Sequence, residues 1–189
     1  MPAARVLPEL DRATLDGCRA GDGAALGVFV RRHQAMVFAF LSRTLGAGSH
    51  VEDLAQEVFL RACRALPGFD AAGTARLSTW LLTIASRVAT DARRKRKLSF
   101  APFEAGQLLV APGTPETERR RAEIGLALAR AASELSDAQR DVFVLAEFHD
   151  LDTRAIAAVL RIRESTARTR LFRARERLRE LLRGVWEDR

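Results

Sequence analysis

Helical periodicity runs through nearly all of this 189-residue chain, and one segment interrupts it. Apolar residues recur at the three- and four-residue spacing of amphipathic helices, and no convincing run shows the two-residue alternation of a half-buried strand. The interrupting segment, residues 99–115, carries three Pro and two Gly and little charge. Because Pro and Gly disfavour a long helix, we expect an extended linker between two helical units.

The predicted fold is therefore all-α, with two small helical domains joined by an extended linker and a helix-turn-helix at the C-terminal end. We call residues 20–97 block one and residues 116–185 block two, with the linker at 98–115. Each block is long enough to bury a three- or four-helix core. The predicted helices cover residues 24–45, 50–66, 78–97, 115–134, 137–148, 152–160 and 165–183.

Helix-start signals support three of these boundaries. Ser49 with Glu52, and Ser136 with Gln139, have the spacing of a capping box. Thr114 is a candidate cap before Pro115, and Pro is favoured in the first turn of a helix.

The charge of the chain favours a polyanionic partner. Lys and Arg total 31 against 24 Asp and Glu, which gives a net charge of +7 and a pI near 10.9. A basic surplus of this kind indicates nucleic acid or anionic lipid, without deciding between them.

Other residue classes point to a cytoplasmic protein with no cofactor. Cys18 and Cys63 are far apart and three histidines are scattered, so we expect free thiols and no metal site. The N-terminus lacks the apolar core of a signal peptide. No stretch approaches the roughly 20 apolar residues that cross a bilayer, so no membrane insertion is expected.

The predicted helix at 50–66 has an apolar face and a polar face. The apolar face consists of Val51, Leu54, Ala55, Val58, Phe59, Ala62, Ala65 and Leu66. The opposite face carries Asp53, Gln56, Glu57, Leu60 and Arg64. A solvated surface is the simpler interpretation of the polar face. Leu60 within it favours a partner surface instead, where the carboxylates could receive arginines of another protein.

The predicted helix at 78–97 carries a tryptophan near its start and a run of cations at its end. Trp80 lies at core spacing, and packing alone would explain it. The five cations at 93–97 repel one another, so they form either a solvated domain end or an anion-binding surface. With a preceding loop that could present Phe69, the segment is typical of single-strand binding, where bases stack and phosphates pair with arginine.

The C-terminal part of block two has the pattern of a helix-turn-helix: a short helix, a turn at 161–163 and a longer helix. From Arg161 to Arg183, nine Arg outnumber three Glu. The predicted inner face is Ala167, Leu171, Ala174, Leu178 and then Leu181 or Leu182, and the outer face is Arg168, Arg170, Arg173, Arg175, Arg177 and Arg179. Such a helix fits the major groove, where Arg can bind guanine and Ser or Thr can contact bases or phosphates. An ordinary exposed helix hairpin is the alternative.

Taken together, these motifs resemble the extracytoplasmic function (ECF) sigma factors, the promoter-recognition subunits of bacterial RNA polymerase. Residues 51–62, VEDLAQEVFLRA, are similar to the family's AEDLxQEVFLRA, and residues 79–85, TWLLTIA, to its TWLxxIA. Residues 135–143, LSDAQRDVF, resemble LPxxxRxVF, and residues 165–175, STARTRLFRAR, resemble GTVKSRLxRAR. The resemblance covers about residues 24–97 and 120–183.

This resemblance implies a sigma factor and not an enzyme, with core RNA polymerase (its largest and second-largest subunits) and promoter DNA, duplex and single-stranded, as partners. The residues expected to dock on the largest subunit's coiled coil are Asp53, Gln56, Glu57 and Leu60. Those expected at the minus-ten element, which block one would read and open, are Phe69, Trp80, Arg87, Arg93 and Arg94. Those expected at the minus-thirty-five element are Ser165, Thr166, Arg168, Thr169, Phe172 and Arg173. The linker would thread through the core enzyme near the active-site cleft.

Three positions depart from the family pattern. Arg87 stands where the family usually has the Asn that helps to recognise a minus-ten base, which leaves the minus-ten sequence open. Ala155 replaces a usual Glu, and Ser165 replaces a usual Gly. The chain ends soon after block two, so we expect regulation from outside, for which the family commonly uses an anti-sigma factor that masks both blocks.

Two other classes of function compete with this interpretation. A helix-turn-helix transcription regulator that is not a polymerase subunit would account for block two, but not for the polar face of the 50–66 helix followed by the tryptophan and the basic run. A nucleic-acid enzyme would need a carboxylate cluster, a metal-ligand spacing or a nucleophile–base pair, and the sequence offers none of these.

Overall fold

The computed structural model of the chain describes residues 9–95, with gaps at 47, 49, 71–72 and 74–75, residue 127, and residues 130–187. Within these residues the secondary structure is helical and contains no strand, which confirms the all-α prediction. The linker and most of the predicted 115–134 helix, including Thr114 and Pro115, lie outside the described residues. The helices are α1 (Arg12–Ala20), α2 (Gly23–Leu45), α3 (His50–Ala65), a 3-10 turn (Leu66–Gly68), α4 (Leu77–Lys95), α5 (Asp137–His149), α6 (Thr153–Leu160) and α7 (Glu164–Glu187).

Block one is built on a bundle in which α2, α3 and α4 pack against one another. Phe29 of α2 meets Phe59 of α3 edge-on, with ring centroids 5.9 Å apart, and Leu81 of α4 is fully buried. Ala65, which the helical pattern placed on the apolar face, is exposed because α3 gives way there to the 3-10 turn that contains Pro67.

A helix precedes the bundle where the sequence left the order of residues 1–20 open. The side chain of Asp11 caps α1 by accepting from the Thr14 amide at 2.8 Å, and Gly21 ends it in the left-handed region with φ 80°. Leu15 and Cys18 are buried. Block one therefore includes α1, which packs on α2 and on the 3-10 turn.

Block two consists of a helical stretch at 130–133 and of α5, α6 and α7. The predicted capping box at the start of α5 is present, with Ser136 and Gln139 each bonded to the other's backbone. The predicted inner face of α7 is confirmed, because Ala167, Leu171, Ala174 and Leu178 are all buried. The predicted capping box at Ser49 lies outside the described residues.

The two blocks touch, and the larger apolar core extends from block one into α5, α6 and α7. The sequence predicted only that each block could bury a core of its own. In the structure, α2 packs against α5 and α4 packs against α6. A second, smaller cluster lies within block two and is formed by Ala131, Leu135, Ala174 and Leu178.

Helix α2 is long and apolar enough, by length and composition alone, to be a candidate membrane span. The fold accounts for its apolar character, because Phe29, Val37 and Phe40 are fully buried in the bundle. The same helix carries the exposed Arg31. A core helix of a soluble bundle has this pattern as well.

Candidate nucleic-acid interface

A tight turn sets α7 against α6. The Asp152 carboxylate caps α6 by accepting from the Ala155 amide at 2.7 Å. Arg161 ends α6 in the left-handed region with φ 53°, and the Ile162 amide donates to the Ala157 carbonyl at 3.0 Å. These contacts turn the chain within three residues, which gives the short-helix, turn, long-helix arrangement predicted from the sequence.

The first turns of α7 present polar and aromatic side chains to solvent. Phe172 is 63% exposed, the most exposed large apolar residue of the described chain. The Arg168 guanidinium donates to Glu164 at 2.9 Å, whereas Arg173 makes no ion pair within the described residues. The structure thus brings the predicted minus-thirty-five residues to one end of α7, with all exposed except the half-buried Thr166: Ser165, Thr166, Arg168, Thr169, Phe172 and Arg173.

The arginines farther along α7 are engaged locally. Arg175 ties α7 to α5 through Glu147, with nitrogen–oxygen distances of 2.9 and 2.7 Å. Arg177 pairs with Glu180, and Arg179 pairs with Glu176. Among the described residues of α7, Arg170 and Arg173 in its N-terminal half and Arg183 near its end make no ion pair.

Helix α4 also carries an exposed stripe. Leu81, Ala85 and Val88 face the core, and the residues on the opposite side recur three or four positions apart. Arg87 and Arg94 are exposed and make no ion pair within the part of the chain that the structure describes. The stripe consists of the half-buried Trp80 and Thr83 and the exposed Arg87, Thr90 and Arg94.

Two predicted minus-ten residues are placed differently from the expectation. Phe69 is only 6% exposed, and its ring lies 5.2 Å from the half-buried ring of Trp80. The loop therefore does not present Phe69 to solvent; the ring supports Trp80 instead. Arg93 is turned toward block two, where its guanidinium forms two hydrogen bonds with the Asp141 carboxylate at 2.8 and 2.6 Å.

Helix α3 keeps its predicted polar face. Asp53, Gln56 and Leu60 are exposed, and the 46% exposure of Leu60 makes it one of few large apolar residues on the described surface. Glu57 is half-buried and accepts from Arg61 at 2.7 Å. Arg61 in turn reaches Asp91 of α4 at 3.3 Å. This chain of contacts fixes the orientation of α3 against α4 and occupies Glu57.

One buried histidine has a strongly perturbed pKa. His149 ends α5, and its Nε2 is fully buried without a hydrogen-bond partner in the described chain. Burial and the neighbouring Arg43 lower the pKa of His149 from 6.5 to about 4. The imidazole is therefore neutral at physiological pH.

Comparison with known families decides the identity. The family model for sigma-70 region 2 matches residues 29–98, and that for sigma-70 region 4 matches residues 125–178. The ECF RNA polymerase sigma factor SigW of Bacillus subtilis is 31% identical over 88% of this chain and 94% of its own length. The chain belongs to the ECF family of RNA polymerase sigma factors.

Other relatives agree with this assignment. The ECF RNA polymerase sigma-E factor of Escherichia coli is 31% identical, over 88% of this sigma factor and 91% of its own length. The RNA polymerase sigma-H factor of Pseudomonas aeruginosa is 29% identical over 95% and 97% of the two chains. The match to region 2 removes the alternative of a regulator that is no polymerase subunit. The protein is a non-catalytic subunit that recognises promoter DNA for RNA polymerase.

Solved structures share the fold. CnrH, in complex with the cytosolic domain of CnrY, has a TM-score of 0.64 and 25% identity over 92% of this chain and 97% of its own. The sigma factor RpoE of Bartonella quintana, in complex with the anti-sigma factor NepR, has a TM-score of 0.68 and 20% identity over 83% and 96%.

Sequence reasoning missed Asp141 and Glu9 as contact residues. Asp141 lies within the LSDAQRDVF motif, and Glu9 lies in the N-terminal segment, where its carboxylate accepts from the Leu77 amide at 3.3 Å. Each of these two residues makes a contact with a residue that is distant in the chain. Neither local spacing nor a run of charges indicates such a contact.

Proposed function

We propose that this sigma factor reads the minus-thirty-five element with the N-terminal half of α7 and the minus-ten element with the exposed stripe of α4, while α3 docks on core polymerase. The observation that carries the proposal is the cluster of exposed polar, basic and aromatic side chains at the start of α7, directly after a tight turn. The domain division follows from it: block one with minus-ten recognition, a linker at 98–115, and block two with minus-thirty-five recognition.

At the minus-thirty-five element, two arginines and an aromatic ring supply the contacts. Arg168 and Arg173 can each bind a guanine edge in the major groove, and Phe172 can contact a thymine methyl group. Ser165, Thr166 and Thr169 lie where hydroxyls reach bases or phosphates. Contacts to phosphates supply affinity, whereas the base edges supply sequence preference.

At the minus-ten element, Trp80 provides a stacking surface and Arg87 and Arg94 provide charge. Unstacked bases gain roughly 1–3 kcal/mol each on an aromatic side chain. Capture of unpaired non-template bases therefore favours the melted promoter without ATP hydrolysis. Because Arg87 replaces the family's usual Asn, we expect a minus-ten preference that differs from that of relatives carrying Asn.

Core polymerase is expected to bind the exposed face of α3. Asp53 and Gln56 offer acceptors that have no side-chain partner among the described residues, and Leu60 extends the face with an apolar surface. Glu57 joins this surface at its edge, because Arg61 already holds its carboxylate. The combination fits a basic and apolar helical partner on the largest subunit.

An anti-sigma factor is a further expected partner. The structurally similar RpoE and its anti-sigma factor NepR form such a complex, and CnrH binds the cytosolic domain of CnrY. Because the partners of this protein are the polymerase and promoter DNA, we propose that it acts in the cytoplasm.

A charge reversal on α3 tests the docking surface. Asp53→Arg should weaken binding to core polymerase by at least about tenfold, because the substitution removes an acceptor and introduces a repulsive charge. Asp16→Arg, on the exposed face of α1, makes the same change in net charge and is the matched control. The measurement is an equilibrium titration of labelled sigma factor with core polymerase, together with circular dichroism to verify folding. Equal affinities of wild type and Asp53→Arg would remove α3 from the docking surface.

A further inference from the structure

Arg87 lies in the middle of the exposed stripe on α4, between two threonines. The Thr83 hydroxyl donates to the Thr79 carbonyl at 3.1 Å, and the Thr90 hydroxyl donates to the Ser86 carbonyl at 2.9 Å. Because a hydroxyl has one proton, both threonines use it on the helix backbone and leave only lone pairs for a ligand. Arg87 is therefore the side chain that supplies hydrogen-bond donors at this point of the stripe.

A guanidinium group discriminates among unpaired bases by its chemistry. It has five N–H donors and no acceptor, so it fits a base edge with two adjacent acceptors. Guanine has such an edge in N7 and O6, whereas adenine places its N6 amino donor beside the N7 acceptor. The two carbonyls of thymine are separated by an N–H donor. Cytosine has adjacent acceptors in O2 and N3, so the chemistry of Arg87 favours guanine or cytosine.

Accessibility separates these two bases. The N7 and O6 atoms of guanine face the major groove, so they can be reached in the duplex as well as after melting. The N3 atom of cytosine lies inside the base pair and becomes accessible only after melting. A side chain that meets the minus-ten element as it opens can therefore hold guanine in both states, and this favours guanine as the base that Arg87 reads.

A carboxylate one helical turn away could occupy Arg87 before DNA arrives. Asp91 lies four residues farther along α4, at the spacing where helical side chains meet. A side chain in a helix also leans toward the preceding turn, which here carries Arg87. The two groups nevertheless form no pair, and Arg87 stays exposed and makes no ion pair among the described residues.

Arg61 of α3 occupies Asp91 instead. Its Nη1 lies 3.3 Å from the Asp91 carboxylate, and its Nε lies 2.7 Å from the carboxylate of Glu57. Glu57 precedes Arg61 by four residues, which is the favourable order for an ion pair on a helix. The side chains of Arg61 and Asp91 are 41% and 44% exposed, so their contact contributes little to stability. Its consequence is where the negative charge of Asp91 is held.

We propose that Arg87 selects an unpaired guanine in the minus-ten element, and that Arg61 is a positioning residue that keeps Arg87 free by holding Asp91. The inference rests on the proposed function, since it takes the stripe of α4 as the minus-ten surface. Without Arg61, the Asp91 carboxylate turns to Arg87, and the guanidinium must leave it before it binds a base. The preference for guanine then falls although Arg87 is still present.

Selection from a single-stranded DNA library measures this preference. Full-length sigma factor with an excess of core polymerase is incubated with strands that carry a randomised segment as long as a minus-ten element, and the bound strands are sequenced. Wild type should enrich guanine at one position by at least about fivefold, the lower end for a bidentate arginine contact. Arg87→Asn should abolish that enrichment. Replacing this guanine by 7-deazaguanine, which lacks the N7 acceptor, should remove most of the preference.

Arg61→Gln tests the positioning role. It should lower the guanine preference roughly twofold, which is the effect of one ion pair at this helical spacing. Adding Asp91→Asn to Arg61→Gln should restore the wild-type preference, because no carboxylate is left to compete for Arg87. Asp16→Asn, on the exposed face of α1, makes the same charge change and should not restore it. Arg12→Gln, also on α1, is the matched control for Arg61→Gln and should leave the preference unchanged.

Circular dichroism verifies that each variant is folded. If Arg61→Gln loses helical signal, Arg61→Met takes its place, since it keeps the aliphatic length of the side chain. An equal guanine preference in wild type and Arg61→Gln, with or without a uniform loss of binding to all strands, overturns the positioning role. A wild-type preference for cytosine, or a motif that Arg87→Asn does not change, overturns the assignment of guanine to Arg87.

The same selection separates this proposal from the proposed function. If the wild-type holoenzyme selects a defined motif that neither Arg87→Asn nor Arg61→Gln alters, minus-ten recognition stands and the roles of these two arginines fail. If the wild-type holoenzyme selects no motif although core polymerase is bound, the minus-ten surface on α4 fails and this proposal fails with it.

Discussion

Arg168 lies one turn into α7, and its guanidinium donates to Glu164 at 2.9 Å while its side chain stays 71% exposed. An exposed pair of this kind contributes little to stability, so little is lost when the arginine turns toward DNA. Arg173, on the same face, has no such partner within the described residues. These two arginines are therefore available for base readout, whereas Arg175 is tied to α5.

Removing the Arg168 side chain should cost sequence-specific affinity. Arg168→Ala is expected to weaken binding to the cognate minus-thirty-five duplex by about 1–3 kcal/mol, because a bidentate contact to guanine is lost. The measurement is a fluorescence anisotropy titration on cognate and scrambled duplexes at one salt concentration.

Arg179→Ala is the control for that loss, since it removes the same charge about 16 Å farther along the helix axis. It should weaken binding to both duplexes slightly and equally. An equal loss on cognate and scrambled DNA for Arg168→Ala would make Arg168 a phosphate contact.

Exposure of individual residues was predictable where it follows from helical periodicity. The exposed position of Leu60 follows from helical periodicity alone, whereas that of Phe172 was expected from the family resemblance. Phe69 and Arg93 were predicted to face DNA, and both turn inward. Phe69 packs on Trp80 eleven residues away, and Arg93 pairs with Asp141 in the other block. Contacts over such separations depend on how helices pack, which local spacing does not encode.

At the scale of elements, the start of α4 is capped from outside its own segment. Arg76 occupies the position before the helix, and an arginine side chain has no acceptor for the free amides of a first turn. The Glu9 carboxylate accepts from the Leu77 amide at 3.3 Å. Its negative charge also lies at the positive end of the helix dipole.

Loss of this cap should destabilise the protein measurably. Glu9→Ala is expected to cost about 1 kcal/mol, in the usual range for a lost cap, and to lower Tm by about 2–4 °C for a domain of this size. Differential scanning calorimetry at neutral pH is the measurement.

A local cap should restore the loss. Adding Arg76→Asp to Glu9→Ala places an acceptor at the cap position itself, and Tm should return toward the wild-type value. A Tm of Glu9→Ala equal to that of wild type would show that the Glu9 contact does not stabilise α4.

Some element boundaries were predictable from a local chemical signal. Ser136 with Gln139 marked the start of α5. Helix α1 was not predicted, although Asp11 provides its cap and Leu15 and Cys18 its buried face. A nine-residue helix carries too few periodic positions to stand out, and its burial depends on packing against α2.

At the scale of the whole molecule, His149 makes stability depend on pH. Its imidazole meets Phe40 of block one and lies near Arg43, and its pKa is lowered to about 4 in the folded protein. In the unfolded chain the ordinary value of 6.5 applies, so the unfolded state binds more protons between these values. Stability is therefore fully present above pH 6.5 and falls as the pH drops toward 4.

Urea unfolding at pH 7 and pH 5 measures this effect. From the two pKa values, the His149 contribution should lower the free energy of unfolding by about 2 kcal/mol between pH 7 and pH 5. His149→Phe keeps an aromatic ring against Phe40 and should remove that part of the dependence. Burial also lowers the pKa of His33, so His33 should still contribute its own part of the pH dependence in this variant. An identical pH dependence in wild type and His149→Phe would contradict the assignment.

The sequence predicted the two helical blocks and their order, because periodicity, caps and the Pro/Gly segment are local signals. Their mutual packing was not predictable. The packing depends on contacts of Phe40, Arg93 and Asp141. From the local sequence, each of these residues is equally well explained as an ordinary residue of a helix. The proposed docking and DNA surfaces follow the same division. The sequence predicted which residues lie on each exposed face, whereas it did not predict which charged groups form ion pairs.

Transcription in vitro tests the central claim most directly. Purified core polymerase and a genomic promoter library are combined with and without this protein, and the transcript starts are aligned. The account predicts initiation only in the presence of the protein, at promoters that share two elements at a fixed spacing, with a minus-ten sequence that changes when Arg87 is replaced by Asn. Binding of duplex DNA without core binding and without defined starts would contradict it.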